Sequence, residues 1–161
     1  MRSALIADTG GLLRALACTH DGAPSFPEYE EALYNLGILE EAINPQRSVE
    51  LLEKAISIDP DYAIAHQALG RYYHRVGDLP RAEYHLRRSL EIDPEDYFSH
   101  LYLANNLAVQ GRDEEAEHVY RAALKLPAAT GRGYGFFADF LDGLGRHEEA
   151  QQIRARMPPA T

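Results

Sequence analysis

The residues most able to do chemistry in this sequence are seven histidines, one cysteine and scattered carboxylates. Cys18 and His20 are the one nucleophile and base that lie close together in the chain. Residues two apart do not face each other on a helix, and an activated thiol needs an oriented base in contact with it. No third group stands beside this pair, so we expect no catalytic residue and no enzymatic activity.

The histidines do not follow a metal-binding spacing. A structural zinc ion needs four ligands, and a single cysteine excludes both a Cys-based zinc site and an internal disulfide. His66 and His100 lie 34 residues apart, whereas His85 and His118 have no matching cysteine or carboxylate partners. The sequence therefore predicts no metal site and no cofactor.

Two further patterns have a simple structural interpretation. The run Gly131–Gly135 is glycine-rich, but it lacks the preceding strand and the lysine of a phosphate-binding loop, which favours a flexible lead-in to a last hairpin. The most basic local feature is a group of three arginines: Arg81, Arg87 and Arg88. Acidic residues are interspersed with them, which is typical of a solvated helix face. An RNA-binding stripe is the alternative interpretation.

Composition and charge indicate which kinds of molecule this protein is not expected to bind. The chain has 161 residues, 45% of them hydrophobic and 25% charged, with a formal net charge of -9. That charge repels phosphate backbones, so nucleic acid and anionic membranes are disfavoured as partners. No apolar run approaches the ~20 residues that span a bilayer, and charged and glycine residues interrupt the N-terminal apolar stretch that a signal peptide needs. We expect a cytoplasmic protein.

A repeat of 34 residues organises the elements that carry these side chains. Shifting the sequence by that length aligns five columns over three units. The columns are Gly77, Gly111 and Gly145; Ala82, Ala116 and Ala150; His66, His100 and Tyr134; Leu69, Leu103 and Phe137; and Tyr73, Leu107 and Leu141. Between them, apolar residues recur at helical spacing, and turn residues such as Gly111 and Asp113 predict the end of one helix and the start of the next.

These columns resemble the tetratricopeptide repeat family over residues 30–157. The unit that carries the resemblance best reads His66, Leu69-Gly70, Tyr73, Ala82, Leu86 and Pro94. The resemblance implies an all-α fold, a right-handed α-solenoid of about four helical hairpins with a short irregular N-terminal segment. The expected division is residues 1–29 and an array over 30–161, with units at about 30–60, 63–94, 97–127 and 131–157. One-sided apolar residues in the last helix indicate a cap.

The resemblance also implies where a partner would bind. Tetratricopeptide arrays bind peptides in a groove lined by the first helix of each hairpin. The family's groove positions fall on Tyr34, Gln67, Arg71, His74, Phe98, Tyr102, Asn105, Arg132 and Asp139. Aromatic, amide and guanidinium side chains of this kind suit an extended or helical peptide. The lysines of carboxylate-gripping members are absent from the first helices, so recognition of a free C-terminus is not expected.

The first residues do not follow the repeat. Residues 5–13 resemble the opening of PIN-type nucleases, in which an apolar strand delivers an acidic metal ligand, here Asp8. Such an enzyme needs several further carboxylates around Mg²⁺ or Mn²⁺, and the chain from residue 30 onward is committed to helical hairpins. We therefore expect a non-catalytic scaffold or adaptor for a protein or peptide. A remnant nuclease fragment is the alternative, and homo-oligomerisation through end helices stays open.

Overall fold

The computed structural model of the chain describes residues 29–158. Within that range every regular element is a helix, in the order α1 (Tyr29–Glu40), α2 (Pro45–Ile58), α3 (Ala63–Arg75), α4 (Leu79–Ile92), α5 (Tyr97–Val109), α6 (Asp113–Ala123), α7 (Gly131–Gly143) and α8 (His147–Ala155). Neighbouring helices pair as hairpins, so the all-α fold predicted from the repeat is confirmed. The proposed N-terminal cap, Asp8 and the pair Cys18 and His20 lie outside the described residues.

Glycines and prolines end the helices where the repeat predicted. Gly77, Gly111 and Gly145 follow the first helices of three hairpins with φ of 82°, 73° and 75°. This left-handed conformation costs an L-residue with a Cβ about 1 kcal/mol or more, which explains the glycine in each turn. Asp59 and Asp93, each before a proline, are the C-caps of α2 and α4 and are extended.

The starts of the second helices differ from one hairpin to the next. Asp78 caps α4 in the ordinary way, because its Oδ1 accepts a hydrogen bond of 3.2 Å from the backbone N–H of Arg81. Helix α6 begins at Asp113, where the sequence predicted a helix start, but its N-cap is Arg112 and not an aspartate. Arg112 donates instead to Glu115 in the first turn, with Nε 2.7 Å from Oε1.

The chain forms two compact units, whose described parts are residues 29–65 and residues 66–158. In the first unit α1 and α2 approach closely at Gly37, where an added Cβ would lie 3.1 Å from Cγ of Leu52. The rings of Tyr34 and Tyr62 meet edge to face with centroids 5.8 Å apart. Burial, helped by the charge of Glu31, raises the pKa of Tyr62 to about 12.

In the second unit the hairpins share a continuous core. Gly70 lies against Leu86 where α3 meets α4, and Tyr120 stacks on Phe137 of the following hairpin with ring centroids 5.2 Å apart. Stacking of this kind buries the apolar face that one hairpin cannot bury alone. In α8, Ala150 and Ile153 are buried, whereas Met157 after the helix is 41% exposed.

Candidate interaction site

Charged side chains of the second helices bond to each other from hairpin to hairpin. Glu83 on α4 accepts from Arg112 at the start of α6, with Nη1 and Oε2 2.7 Å apart, and Arg112 also bonds to Glu115 at 2.7 Å. The same arrangement recurs 34 residues later with Glu117, Arg146 and Glu149. These bridges link neighbouring hairpins at partly buried positions, so they stabilise the stacking and do not form a ligand site.

The three arginines of the basic run are also paired. Arg81 bonds to Asp78 at 2.5 Å, Arg87 to Glu83 at 2.8 Å and Arg88 to Glu91 at 3.0 Å. Partial burial opposes ionisation of Glu83, but hydrogen bonds from Arg87 and Arg112 outweigh it and lower its pKa. The interpretation of this run as a solvated helix face therefore fits the structure. An RNA-binding stripe would need unpaired cations, and these three arginines are paired with carboxylates.

Two of the predicted groove residues on α3 hold the next hairpin in place. The Gln67 amide donates to Oδ2 of Asp96 at 2.7 Å, and Nδ1 of His74 lies 3.2 Å from Oδ1 of Asn106. Asn106 is fully buried and also donates to the carbonyl of Leu79 at 3.0 Å. Gln67 and His74 therefore fix the relation of α3 to α5.

Arg71, Asn105 and Asp139 occupy equivalent positions on α3, α5 and α7 and are also engaged. The Nε of Arg71 is buried. Oδ1 of Asn105 accepts from the Tyr120 hydroxyl at 2.5 Å, and Asp139 accepts from Arg154 at 2.7 Å. Burial, followed by the charge of Asp139, raises the pKa of the Tyr120 hydroxyl above its ordinary value, which keeps it a donor.

The remaining predicted residues of the second unit face solvent. Phe98 on α5 is 45% exposed, Tyr102 one turn later is half-buried, and Arg132 on α7 is exposed. Phe136, which the sequence analysis did not single out, is 38% exposed and lies 34 residues after Tyr102. The repeat period itself was the signal that could have identified it. Tyr34 belongs to the first unit and rests against its own Tyr62.

A hydrogen-bonded junction joins the N-terminal halves of α5 and α7. The Tyr97 hydroxyl lies 3.2 Å from the carbonyl oxygen of Thr130 and accepts from its N–H at 3.1 Å. A Cβ at Gly133 would lie 2.1 Å from that hydroxyl, so only glycine fits beneath the tyrosine. The expected flexible lead-in at Gly131–Gly135 is therefore wrong, because α7 already begins at Gly131 to receive Tyr97.

The histidines are bonded within the unit. Nδ1 of His66, which is 3% exposed, lies 3.0 Å from Nδ1 of His85, and Nδ1 of His100 lies 3.0 Å from the carbonyl oxygen of Asp96. Burial, followed by the nearby His66, lowers the pKa of His85 to about 4. Among residues 29–158 no three His, Cys, Asp or Glu side chains are grouped as a metal ion would require.

Comparison with known proteins agrees with this architecture. A family model described as Tetratricopeptide repeat matches residues 51–84. A crystal structure of MamA superposes with a TM-score of 0.70 at 22% identity, covering 80% of this chain and 76% of that one. MamA MSR-1 gives a TM-score of 0.65 at 26% identity over 92% of this chain and 86% of that one. MamA 41-end from Desulfovibrio magneticus RS-1 gives 0.70 at 17% identity, with 79% and 72% covered.

No curated protein sequence matches the chain. None of the helices within residues 29–158 is long and apolar enough to cross a bilayer. The repeat columns, the positive-φ glycines between paired helices and the family match all point to the same repeat. Residues 51–84 match the tetratricopeptide repeat, and the hairpins of the second unit follow the same 34-residue period.

Proposed function

We propose that the chain is a non-catalytic scaffold that binds a peptide or protein segment along the first helices of its hairpins. The observation that supports this most is the exposure of Phe98 and Phe136, at 45% and 38%, on the neighbouring helices α5 and α7. Aromatic side chains are enriched in protein-binding surfaces, where they provide most of the contact energy. In a chain that fills its core with Tyr120 and Phe137, such exposure favours a docking role over a packing role.

The other groove residues contribute to the proposal in a different way. Gln67, His74, Asn105 and Asp139 bond within the second unit and would give the surface a fixed shape, which reduces the entropy lost on binding. Tyr34 stays a proposed contact of the first unit and Arg71 one of the second, and Tyr102 and Arg132 are proposed contacts on the same helices as Phe98 and Phe136. A scaffold of this kind needs no cofactor. We also propose that it acts in the cytoplasm.

The test is an affinity pull-down from the native lysate with the wild type and the double variant Phe98→Ser/Tyr102→Ser. Tyr84→Ser is the matched control, because Tyr84 is 64% exposed on the second helix α4. We expect a protein that is retained by the wild type and the control and lost by the double variant. Arg71 and Asn105 are less suitable positions, since their contacts within the chain couple binding to folding.

Far-UV circular dichroism of each variant shows whether the helices are intact. If the correctly folded double variant retains the same proteins as the wild type, the first helices are not the binding surface. If neither the wild type nor the Tyr84→Ser control retains any protein, nothing supports a scaffold and the proposal fails.

A further inference from the structure

Charge is distributed unevenly between the two sets of helices in the second unit. The chain carries a net charge of -9, yet α3 and α5 contain no aspartate and no glutamate. The two carboxylates of α7, Asp139 and Asp142, both bond to Arg154 at 2.7 Å. Asp96, the N-cap of α5, accepts from Gln67 and from backbone N–H groups. The first helices of the second unit thus offer no unpaired carboxylate among the described residues.

One cation on these helices is available to a ligand. Arg132 is exposed at the second position of α7 and forms no ion pair with any described residue. Arg112 and Arg146, by comparison, are each held by two glutamates. A guanidinium that is not already paired can bind a carboxylate through two parallel hydrogen bonds.

Phe98 and Arg132 both lie within two residues of the side chains that form the Tyr97 junction. Phe98 follows Tyr97, and the two rings meet edge to face with centroids 5.4 Å apart. Arg132 lies two residues after Thr130, whose N–H and carbonyl bond to the Tyr97 hydroxyl. The junction therefore holds an exposed aromatic ring and an unpaired guanidinium at equivalent positions of neighbouring helices, 34 residues apart.

From this arrangement we propose that the segment bound by the scaffold is an acidic peptide with an apolar side chain beside its carboxylate. The inference rests on the proposed function and names its ligand class. Arg132 binds the carboxylate, while Phe98 and Phe136 cover the apolar side chain. Nucleic acid fits less well, because affinity for a phosphate backbone depends on neutralising several phosphates, and this surface offers one unpaired arginine.

The experiment uses three fluorescein-labelled probes and the whole chain. The first is a ten-residue peptide of alternating Asp or Glu and Leu or Phe, acetylated and amidated so that it has no free terminus. The second replaces its acidic residues by lysine, and the third is oligouridylate of equal length. Binding is followed by fluorescence anisotropy at about 50 mM NaCl, where charge pairing is only moderately screened.

We expect the acidic peptide to bind at least about tenfold more tightly than the lysine peptide. Arg132→Glu should weaken its binding about tenfold or more, because it replaces attraction by repulsion. The matched control is Arg156→Glu, which makes the same charge change at an exposed position at the end of α8. That variant should bind within about twofold of the wild type.

Equal binding of the lysine peptide, preference for oligouridylate, no binding of the acidic peptide, or an equal loss with Arg156→Glu would each overturn this inference. The pull-down separates it from the scaffold proposal. A partner that is lost with Phe98→Ser/Tyr102→Ser but kept by Arg132→Glu overturns the acidic ligand and leaves the scaffold standing.

Discussion

The contact between Gly70 and Leu86 gives a prediction whose size follows from the structure. A Cβ added at Gly70 would lie 2.5 Å from Cγ and 2.8 Å from Cδ2 of Leu86, and 3.2 Å from its backbone nitrogen. Carbon atoms in contact are normally about 3.5–4.0 Å apart, so Gly70→Ala must either separate α3 from α4 or force Leu86 out of its rotamer. Leu86 is fully buried and cannot turn toward solvent.

Two opposing terms set the expected magnitude. Overpacking a core of this kind costs about 1–3 kcal/mol. Alanine is favoured over glycine inside a helix by about 1 kcal/mol, which offsets part of that cost. We therefore expect Gly70→Ala to lower the free energy of unfolding by about 1–2 kcal/mol, measured by urea denaturation followed by circular dichroism.

Gly135→Ala is the matched control, because it makes the same substitution inside a helix where a Cβ would meet nothing within 4 Å. It should raise the free energy of unfolding by about 0.5–1 kcal/mol. In a Leu86→Ala background, Gly70→Ala should destabilise less, since the two closest atoms, Cγ and Cδ2 of Leu86, are gone and only the backbone nitrogen at 3.2 Å remains. Equal effects of the two glycine substitutions, or an additive double variant, would refute the reasoning.

Three further predictions concern polar contacts. Glu117→Gln should lower the free energy of unfolding by about 1 kcal/mol at low salt and by less in 1 M NaCl, because it weakens the bridge to Arg146. Lowering the pH from about 6.5 to about 4 should reduce the urea midpoint, because unfolded chains protonate His85 near its ordinary pKa of 6.5 and the folded chain only near 4. Asn106→Ala should cost about 1–3 kcal/mol in urea unfolding, since it removes a fully buried amide and leaves the carbonyl of Leu79 without its donor.

Each of these has a result that would contradict it. The effect of Glu117→Gln should shrink with salt, so a salt-independent loss would point to packing and not to charge. His85→Gln should flatten the decline between pH 6.5 and 4, and an unchanged slope would assign it to other groups. A fully stable Asn106→Ala variant would mean that the Leu79 carbonyl finds another donor.

Sequence alone was sufficient for the hairpin fold. Glycine at 77, 111 and 145 marks the end of a first helix, because a positive φ strains any residue that has a Cβ and does not strain glycine. This requirement depends only on the local backbone. The proline after Asp59 and Asp93 ends the second helices for an equally local reason. Alanine at 82, 116 and 150 is fully buried, as expected where two helices approach.

The starts of some helices were not predictable in the same way. Gly131–Gly135 has the composition of a loop, yet it forms the first turns of α7. The reason is Tyr97, more than thirty residues away, whose hydroxyl occupies the space that a side chain at Gly133 would need. Helix propensity is a weak local term, and a buried tertiary contact of this kind overrides it.

The candidate surface shows most clearly what only the tertiary structure decided. The repeat register placed Gln67, His74, Asn105 and Asp139 on the first helices, but it carried no information on whether their polar atoms were already bonded. Their partners lie 15 to 32 residues away, so spacing within one helix cannot reveal them. Sequence determined which residue types lie on that face, whereas packing between hairpins decided that Phe98 and Arg132 stay exposed. The physical reason is that hydrogen-bond satisfaction and burial depend on neighbours in space, which the chain brings together only once the hairpins stack.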